Sequence, residues 1–156
     1  MHVVCALLED EAGRLLVARR PAGKHLGGRW EFPGGKLEPG ETAEAALHRE
    51  LAEELGCTVE IGAALTPVTH AYETVTVRLI PFVARLTPDS PPPEAREHEA
   101  LRWVTEAELA ELALPEADAQ IGLAEVALGR WVDAEAHLDE ALAASSDGWI
   151  SKNRAT

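Results

Sequence analysis

Residues 34–57 read GGKLEPGETAEAALHRELAEELGC, and this stretch decides both the local fold and the chemistry. Leu47, Leu51 and Leu55 recur at i, i+4 and i+8, so the sequence predicts an amphipathic helix from Ala43 to Leu55 with one apolar stripe to bury. Thr42 is placed to cap its start, Glu44 lies in the first turn where the helix dipole favours an anion, and Gly56 fits the left-handed stop. Glu50, Glu53 and Glu54 stand at i, i+3 and i+4, which sends three carboxylates from a second face within roughly 100° of arc. Like charges so close repel and weaken a helix. A hard dication removes that penalty: Mg²⁺ prefers carboxylate oxygens and fills its remaining positions with water or substrate oxygens. Arg49 is one turn from Glu53 and is expected to pair with it and hold it in place. A solvated glutamate face is the plain alternative. The Pro33-Gly34-Gly35 entry and the Gly56 exit favour the site.

With 156 residues, 46% of them hydrophobic, the chain can bury one good core and is short for two domains. It has no apolar run of membrane-spanning length, and it opens on a strand-like segment, Val3 to Leu8, rather than on a charged-then-apolar leader. Cys5 and Cys57 form no CxxC pair and read as small buried hydrophobes, which points to a reduced, cytoplasmic setting. A net charge of −13 argues against nucleic acid as a partner, because its phosphates would be repelled. The charge is unevenly spread. Arg14, Arg19, Arg20, Lys24, Arg29 and Lys36 crowd into a stretch whose only acid is Glu31, whereas Arg130 is the only Lys or Arg between Thr105 and Asp147. A basic rim beside an acidic metal site suits a polyphosphate, with ordinary solubilising charge as the alternative.

Along the chain, strand and helix patterns alternate. Val3 to Leu8 is a strand, Asp10 to Gly13 a hairpin turn, and Leu15 to Ala18 the return strand. A polar loop over 21–29 leads to a short extended piece, Trp30 to Pro33. Residues 58–63 are strand-like, and 67–72 with 75–86 form a long hairpin. The proline-rich segment 87–93 can hold neither a helix nor a central strand and is a surface loop. Leu101 to Val104 is a last strand, and Thr105 caps a short acidic helix near 106–112. Helices are predicted at 117–128 and 132–144, and the aperiodic tail 145–156 is expected to be flexible. One domain over 1–130 is therefore expected, followed by a C-terminal helix and tail over 131–156.

Gly35, Glu41, Arg49, Glu50, Glu53, Glu54 and Gly56 match every fixed position of the Nudix box, Gly-x5-Glu-x7-Arg-Glu-U-x-Glu-Glu-x-Gly-U with U apolar, so the chain resembles the Nudix hydrolase superfamily. Val17-Ala18-Arg19-Arg20, His25 and Trp30-Glu31-Phe32-Pro33-Gly34-Gly35-Lys36 are similar to its MutT-like branch, which cleans the nucleotide pool. Glu97-His98-Glu99-Ala100-Leu101-Arg102-Trp103 is similar to the CTP pyrophosphohydrolase members of that branch. The resemblance implies an α/β/α sandwich around a mixed central β-sheet. It also implies an enzyme that uses Mg²⁺, with Mn²⁺ able to substitute, on a small-molecule nucleoside triphosphate. Oxidised or modified dNTPs of the 8-oxo-dGTP type are the expected substrates, with CTP or a modified dCTP as the alternative. A monomer or homodimer is expected, with neither nucleic acid nor membrane as a partner.

Carried over residue by residue, the resemblance makes Glu50, Glu53, Glu54 and the Gly34 carbonyl holders of the metal, with Arg49 beside them in the catalytic box. Glu97 matches a loop glutamate that approaches the metals and serves as a candidate base. Arg20 would contact the phosphates or sugar, Lys36 the substrate, His25 the loop that closes over it, and Phe32 the base. Read alone, Arg20 is a strand charge, Glu97 a loop carboxylate and Phe32 a core residue. The implied reaction is attack of water on the β-phosphorus, giving nucleoside monophosphate and pyrophosphate. The cation would polarise the phosphate and ease deprotonation of the water, and a carboxylate would take the proton. A carboxylate that ligates a dication is a weak base, which favours the more peripheral Glu97 over Glu54.

Two positions depart from the branch. Asp118 stands where MutT carries an asparagine, and an ionised Asp accepts hydrogen bonds without donating any. It suits a base edge rich in donors, or else it caps the following helix. The turn at Tyr72-Glu73-Thr74 lacks the Asp-Arg pair of MutT. Two rival readings remain: an ADP-ribose or dinucleoside polyphosphate hydrolase, and a non-catalytic nucleotide-binding module on the same fold.

Overall fold

The computed structural model describes residues 1–121. The helix predicted at 132–144, the tail and the boundary at 130 lie outside the described residues. Val4, Ala6 and Leu8 alternate with Cys5 and Leu7 along the first strand, β1 (His2–Leu8), and all five are buried. A strand apolar on both faces belongs in the middle of a sheet covered on both sides. β1 lies parallel to β7 (Thr76–Leu86) and antiparallel to β4 (Gly34–Lys36), while β5 (Val59–Ala64) and β6 (Val68–Ala71) pair antiparallel with β7. This gives the mixed sheet of an α/β fold, and β6 with β7 forms the long hairpin that the sequence predicts. A second, antiparallel sheet sets β2 (Leu15–Arg19) between β3 (Trp30–Glu31) and β8 (Ala100–Val104).

The turn at Asp10 forms as expected, with Asp10 Oδ1 accepting from the N–H groups of Ala12 at 3.0 Å and Arg14 at 2.8 Å. The strands beside it do not form the expected hairpin. A single bridge, Glu9 to Leu15, joins them before β2 departs to the second sheet. β7 takes one edge of β1 along its length, and on the other edge β4 takes Val3–Cys5 and the Pro33 carbonyl takes the Ala6 N–H, which leaves β2 no room to run along β1.

Helix α1 (Ala43–Leu55) starts and stops where the sequence places it. Thr42 Oγ1 accepts from Ala45 N–H at 3.1 Å, and Gly56 turns left-handed at φ 64°. Leu47, Leu51 and Leu55 are fully buried against Val4, Ala6, Leu8, Ile80 and Phe82, each worth roughly 1.5–3 kcal/mol. Cys5, Leu7, Val83 and Leu79 face the other way, into a cluster closed by α2 (Glu106–Leu109) and α3 (Glu116–Ala119). Thr105 and Glu108 form a reciprocal capping box at α2. Both cysteines are buried and unpaired. Among the described residues, no helix is long and apolar enough to cross a membrane.

Candidate active site

β4 returns so close to α1 that a Cβ on Gly35 would stand 2.3 Å from the Glu50 carboxyl carbon, so only glycine leaves Glu50 its room. Arg49 braces this corner. Its Nε and Nη2 grip Glu41 at 2.7 and 2.8 Å, Nη1 reaches Glu50 at 2.9 Å, and Nη2 also donates to the Lys36 carbonyl at 3.1 Å. The Arg49–Glu53 contact that helical spacing predicts is weaker, at 3.4 Å. A two-pronged grip on a carboxylate fixed in the preceding loop outcompetes a single contact to an exposed one. The Arg49 hydrogen bond holds the Glu41 carboxyl down at about 2.

Glu54 is in the opposite state. Its Oε2 is buried and has no hydrogen-bond partner among the described residues. Burial first, then the charges of Glu50, Glu31 and Glu97, push its carboxyl up to about 8. Burial also raises Glu50, against the pull of Arg49. Glu53 leaves the helix into solvent, with 57% of its side chain exposed. Among the described residues, no three His, Cys, Asp or Glu side chains gather closely enough to hold one ion together. The chemistry of the donors nevertheless fits a hard dication. All are oxygens, one is an orphaned buried carboxylate oxygen, and Glu54 and Glu50 need added positive charge to ionise side by side.

Gly34, Glu54 and Glu97 line a cavity of about 430 Å³, and Glu50 and Glu53 lie outside its walls. The same walls carry Asp118, Tyr72 and the apolar Val75, Val77 and Leu79. Asp118 is no helix cap. Pro115 occupies that position in α3, and Asp118 Oδ2 instead accepts the Phe32 N–H at 3.0 Å. Burial pushes the Asp118 carboxyl up to about 7, with the Phe32 hydrogen bond opposing and the charge of Glu31 adding. Phe32 is 3% exposed and belongs to the core cluster, although it also touches the cavity.

Arg20 lines the cavity, but its charge is engaged: Nε donates to the His25 carbonyl at 2.8 Å and Nη1 to Glu31 at 3.0 Å. Glu31 also meets His98 Nε2 at 2.9 Å. A carboxylate only accepts, so that nitrogen carries the proton. His25 stands edge-on to Tyr72 at 5.7 Å, and the Tyr72 hydroxyl accepts the Ala117 N–H at 3.0 Å. The basic stretch is less of a rim than its sequence implies. Arg14, Arg19 and Arg29 pair with Asp10, Glu99 and Glu116, so Arg20, Lys24 and Lys36 are its members at the cavity. Glu31, His98 and Tyr72 carry no local signal as site residues, because the His98–Glu31 and Tyr72–Ala117 contacts join positions 67 and 45 apart.

The sequence profile of the family described as NUDIX domain matches residues 3–124. The chain is 40% identical over 119 residues to a CTP pyrophosphohydrolase of Escherichia coli, covering 76% of this chain and 85% of that protein. It is 44% identical over 72 residues to an 8-oxo-dGTP diphosphatase of Proteus vulgaris, covering 46% of this chain and 64%, just under two thirds, of that protein. Among solved structures, the E. coli ORF135 protein superposes with a TM-score of 0.69 at 35% identity, over 86% of this chain and 94% of the other. The MutT protein from Methanosarcina mazei follows at 0.66 and 28%, over 75% and 86% of the two chains.

Proposed function

The chain belongs to the NUDIX domain family, and we propose that this member is a MutT-like nucleoside triphosphate pyrophosphohydrolase acting on oxidised or modified dNTPs. The observation that carries this reading is that one cavity is lined both by acid that needs added positive charge to ionise, at Glu54, and by a half-buried carboxyl, Asp118, with apolar Val75, Val77 and Leu79 also in the walls. A triphosphate joined to a base asks for both kinds of wall. The names of the E. coli and Proteus relatives support the reading.

In this reading Glu50, Glu53, Glu54 and the Gly34 carbonyl would hold Mg²⁺, which Mn²⁺ can replace, with Glu50 and Glu53 turning in from outside the cavity walls to join Glu54 and Gly34, and Arg49 bracing Glu50. Bound there, the cation supplies charge that polarises the phosphate and eases deprotonation of the attacking water. Glu97 takes the proton as the water oxygen attacks the β-phosphorus. The bond from that phosphorus to the oxygen bridging to the α-phosphate breaks, and nucleoside monophosphate and pyrophosphate depart. Lys24 and Lys36 offset phosphate charge along the cavity, and Arg20 orders the His25 carbonyl and Glu31.

Asp118 reads the base. With its pKa near 7 it is present in both forms at neutral pH, so it can accept from an amino group when ionised or donate to a carbonyl oxygen when neutral. Recognition of the cytosine N4 amino group by the ionised form keeps CTP or a modified dCTP as the second reading. The test is a hydrolysis screen with Mg²⁺ across ordinary, oxidised and methylated nucleoside triphosphates, together with ADP-ribose. Turnover of a modified dNTP that vanishes on chelation is the expected result. Turnover of ADP-ribose alone, or activity that survives exhaustive chelation, overturns the proposal.

A further inference from the structure

Four consecutive residues, Arg96 to Glu99, are fastened to three separate parts of the molecule. Arg96 donates its N–H to the Glu54 carbonyl at 3.3 Å and Nη1 to the Ala52 carbonyl at 3.4 Å, which lays the segment on the last turn of α1. Its guanidinium covers Gly56 so closely that a Cβ there would stand 2.3 Å away. His98 holds Glu31. Glu99 turns to the loop on the far side: Oε1 accepts the Ala22 N–H, Oε2 accepts Arg19 Nε, and its own N–H donates to the Arg19 carbonyl, each at 3.0 Å. Glu97 is left to line the cavity.

The loop that Glu99 holds is tightly wound. Two bonds of 2.9 Å, Arg20 N–H to the Arg29 carbonyl and Gly28 N–H to the Arg20 carbonyl, close its neck. Inside it a Cβ on Gly27 would meet the Pro21 carbonyl at 2.6 Å. Leu26 sits at φ 57°, a left-handed conformation that no other non-glycine described residue adopts. Such a conformation persists only where the surroundings fix it. The same loop brings Lys24, His25 and Leu26 to the cavity wall.

We propose that Glu99 is a positioning residue that sets the 21–28 loop over the substrate, tying Lys24 and His25 to the segment that presents Glu97. The proposal rests on the hydrolase reading for its consequence in turnover, and on the hydrogen bonds alone for its consequence in the free protein. Glu99→Ala removes both acceptors, whereas Glu99→Gln keeps a carbonyl oxygen for Ala22.

Amide hydrogen exchange on the full chain is the first arm. In Glu99→Ala the Ala22 amide should exchange about tenfold faster or more, with Leu51 and Leu55 unchanged, and Glu99→Gln should restore much of the protection. The second arm is steady-state kinetics with the best triphosphate from the screen. KM should rise about tenfold in Glu99→Ala with kcat within about threefold, and Glu99→Gln should recover most of it. Unchanged Ala22 protection overturns the latch, and so does loosening that spreads to Leu51 and Leu55. A fall in kcat with KM unchanged overturns it equally. If the screen finds no substrate, the hydrolase reading fails while the exchange arm still decides for or against the latch.

Discussion

Where α1 meets the cavity, the charges are arranged by near neighbours. Arg49 reaches Glu41 and Glu50, eight positions and one position away. Around Asp118 and Glu31 the contacts are long-range: Asp118 meets Phe32 across 86 positions and His98 meets Glu31 across 67. The acids are kept in two ways: Glu41 is bound to an arginine and its pKa falls to about 2, while half-buried Glu54 in the same region and half-buried Asp118 in the other rise to about 8 and 7. In the proposed reading a cation completes the first region, whereas in the second the Phe32 N–H already holds the Asp118 carboxyl. A substitution at Glu54 should therefore act on rate, and one at Asp118 on choice of substrate.

The largest expected effect tests the cation side. Glu53→Gln and Glu54→Gln should each lower kcat by about 10² or more, because in the proposed reading each lost charge is one that holds the cation. In chelator-treated protein Glu54→Gln should raise the melting temperature, since it removes a buried group that resists ionisation, while Glu53→Gln changes it less because Glu53 is exposed. Wild-type turnover in either variant would remove that residue from the metal site.

A smaller effect tests the base side. Asp118→Asn fixes a donor and an acceptor where the acid switches between forms. The ratio of kcat/KM for oxidised dGTP over CTP should move about ten- to a hundredfold. Measuring both substrates and dGTP in both proteins decides it, and an unchanged ranking retires Asp118 as the base reader.

The smallest effect compares the two carboxyls through pH. Both folded pKa values lie above their ordinary ones, so the folded chain binds protons that the unfolded chain has released. Stability of the metal-free protein from these groups should be fully present below their ordinary carboxyl range, near pH 4, and be lost as pH rises through about 7 for Asp118 and 8 for Glu54. Denaturant melts from pH 5 to 9 should lose about 1–3 kcal/mol. The Glu54→Gln protein should show a shallower fall that ends nearer pH 7. Identical slopes in the two proteins would mean that Glu54 is not held protonated.

Legibility in the sequence follows the range of the contacts. Thr42, Gly56 and the Leu47-Leu51-Leu55 stripe are set within α1 by helix periodicity, and the structure bears them out. The hairpin at Asp10 shows the limit. Its turn is local and forms, but where β2 pairs depends on β7, β4 and the Pro33 carbonyl having occupied most of the edges of β1. The Arg49–Glu53 pairing forms, at 3.4 Å, but it is not Arg49's main contact, because spacing counts only partners on the helix and Glu41 lies in the loop before it.

By itself the sequence determined α1, its caps and the face that carries Glu50, Glu53 and Glu54, since each depends on residues within a few turns. Tertiary structure decided which of those carboxyls is buried, that Arg20 is engaged with Glu31, and that Asp118 turns to Phe32 rather than capping a helix. These outcomes depend on desolvation and on partners brought together from distant strands. No local pattern of residues records either one.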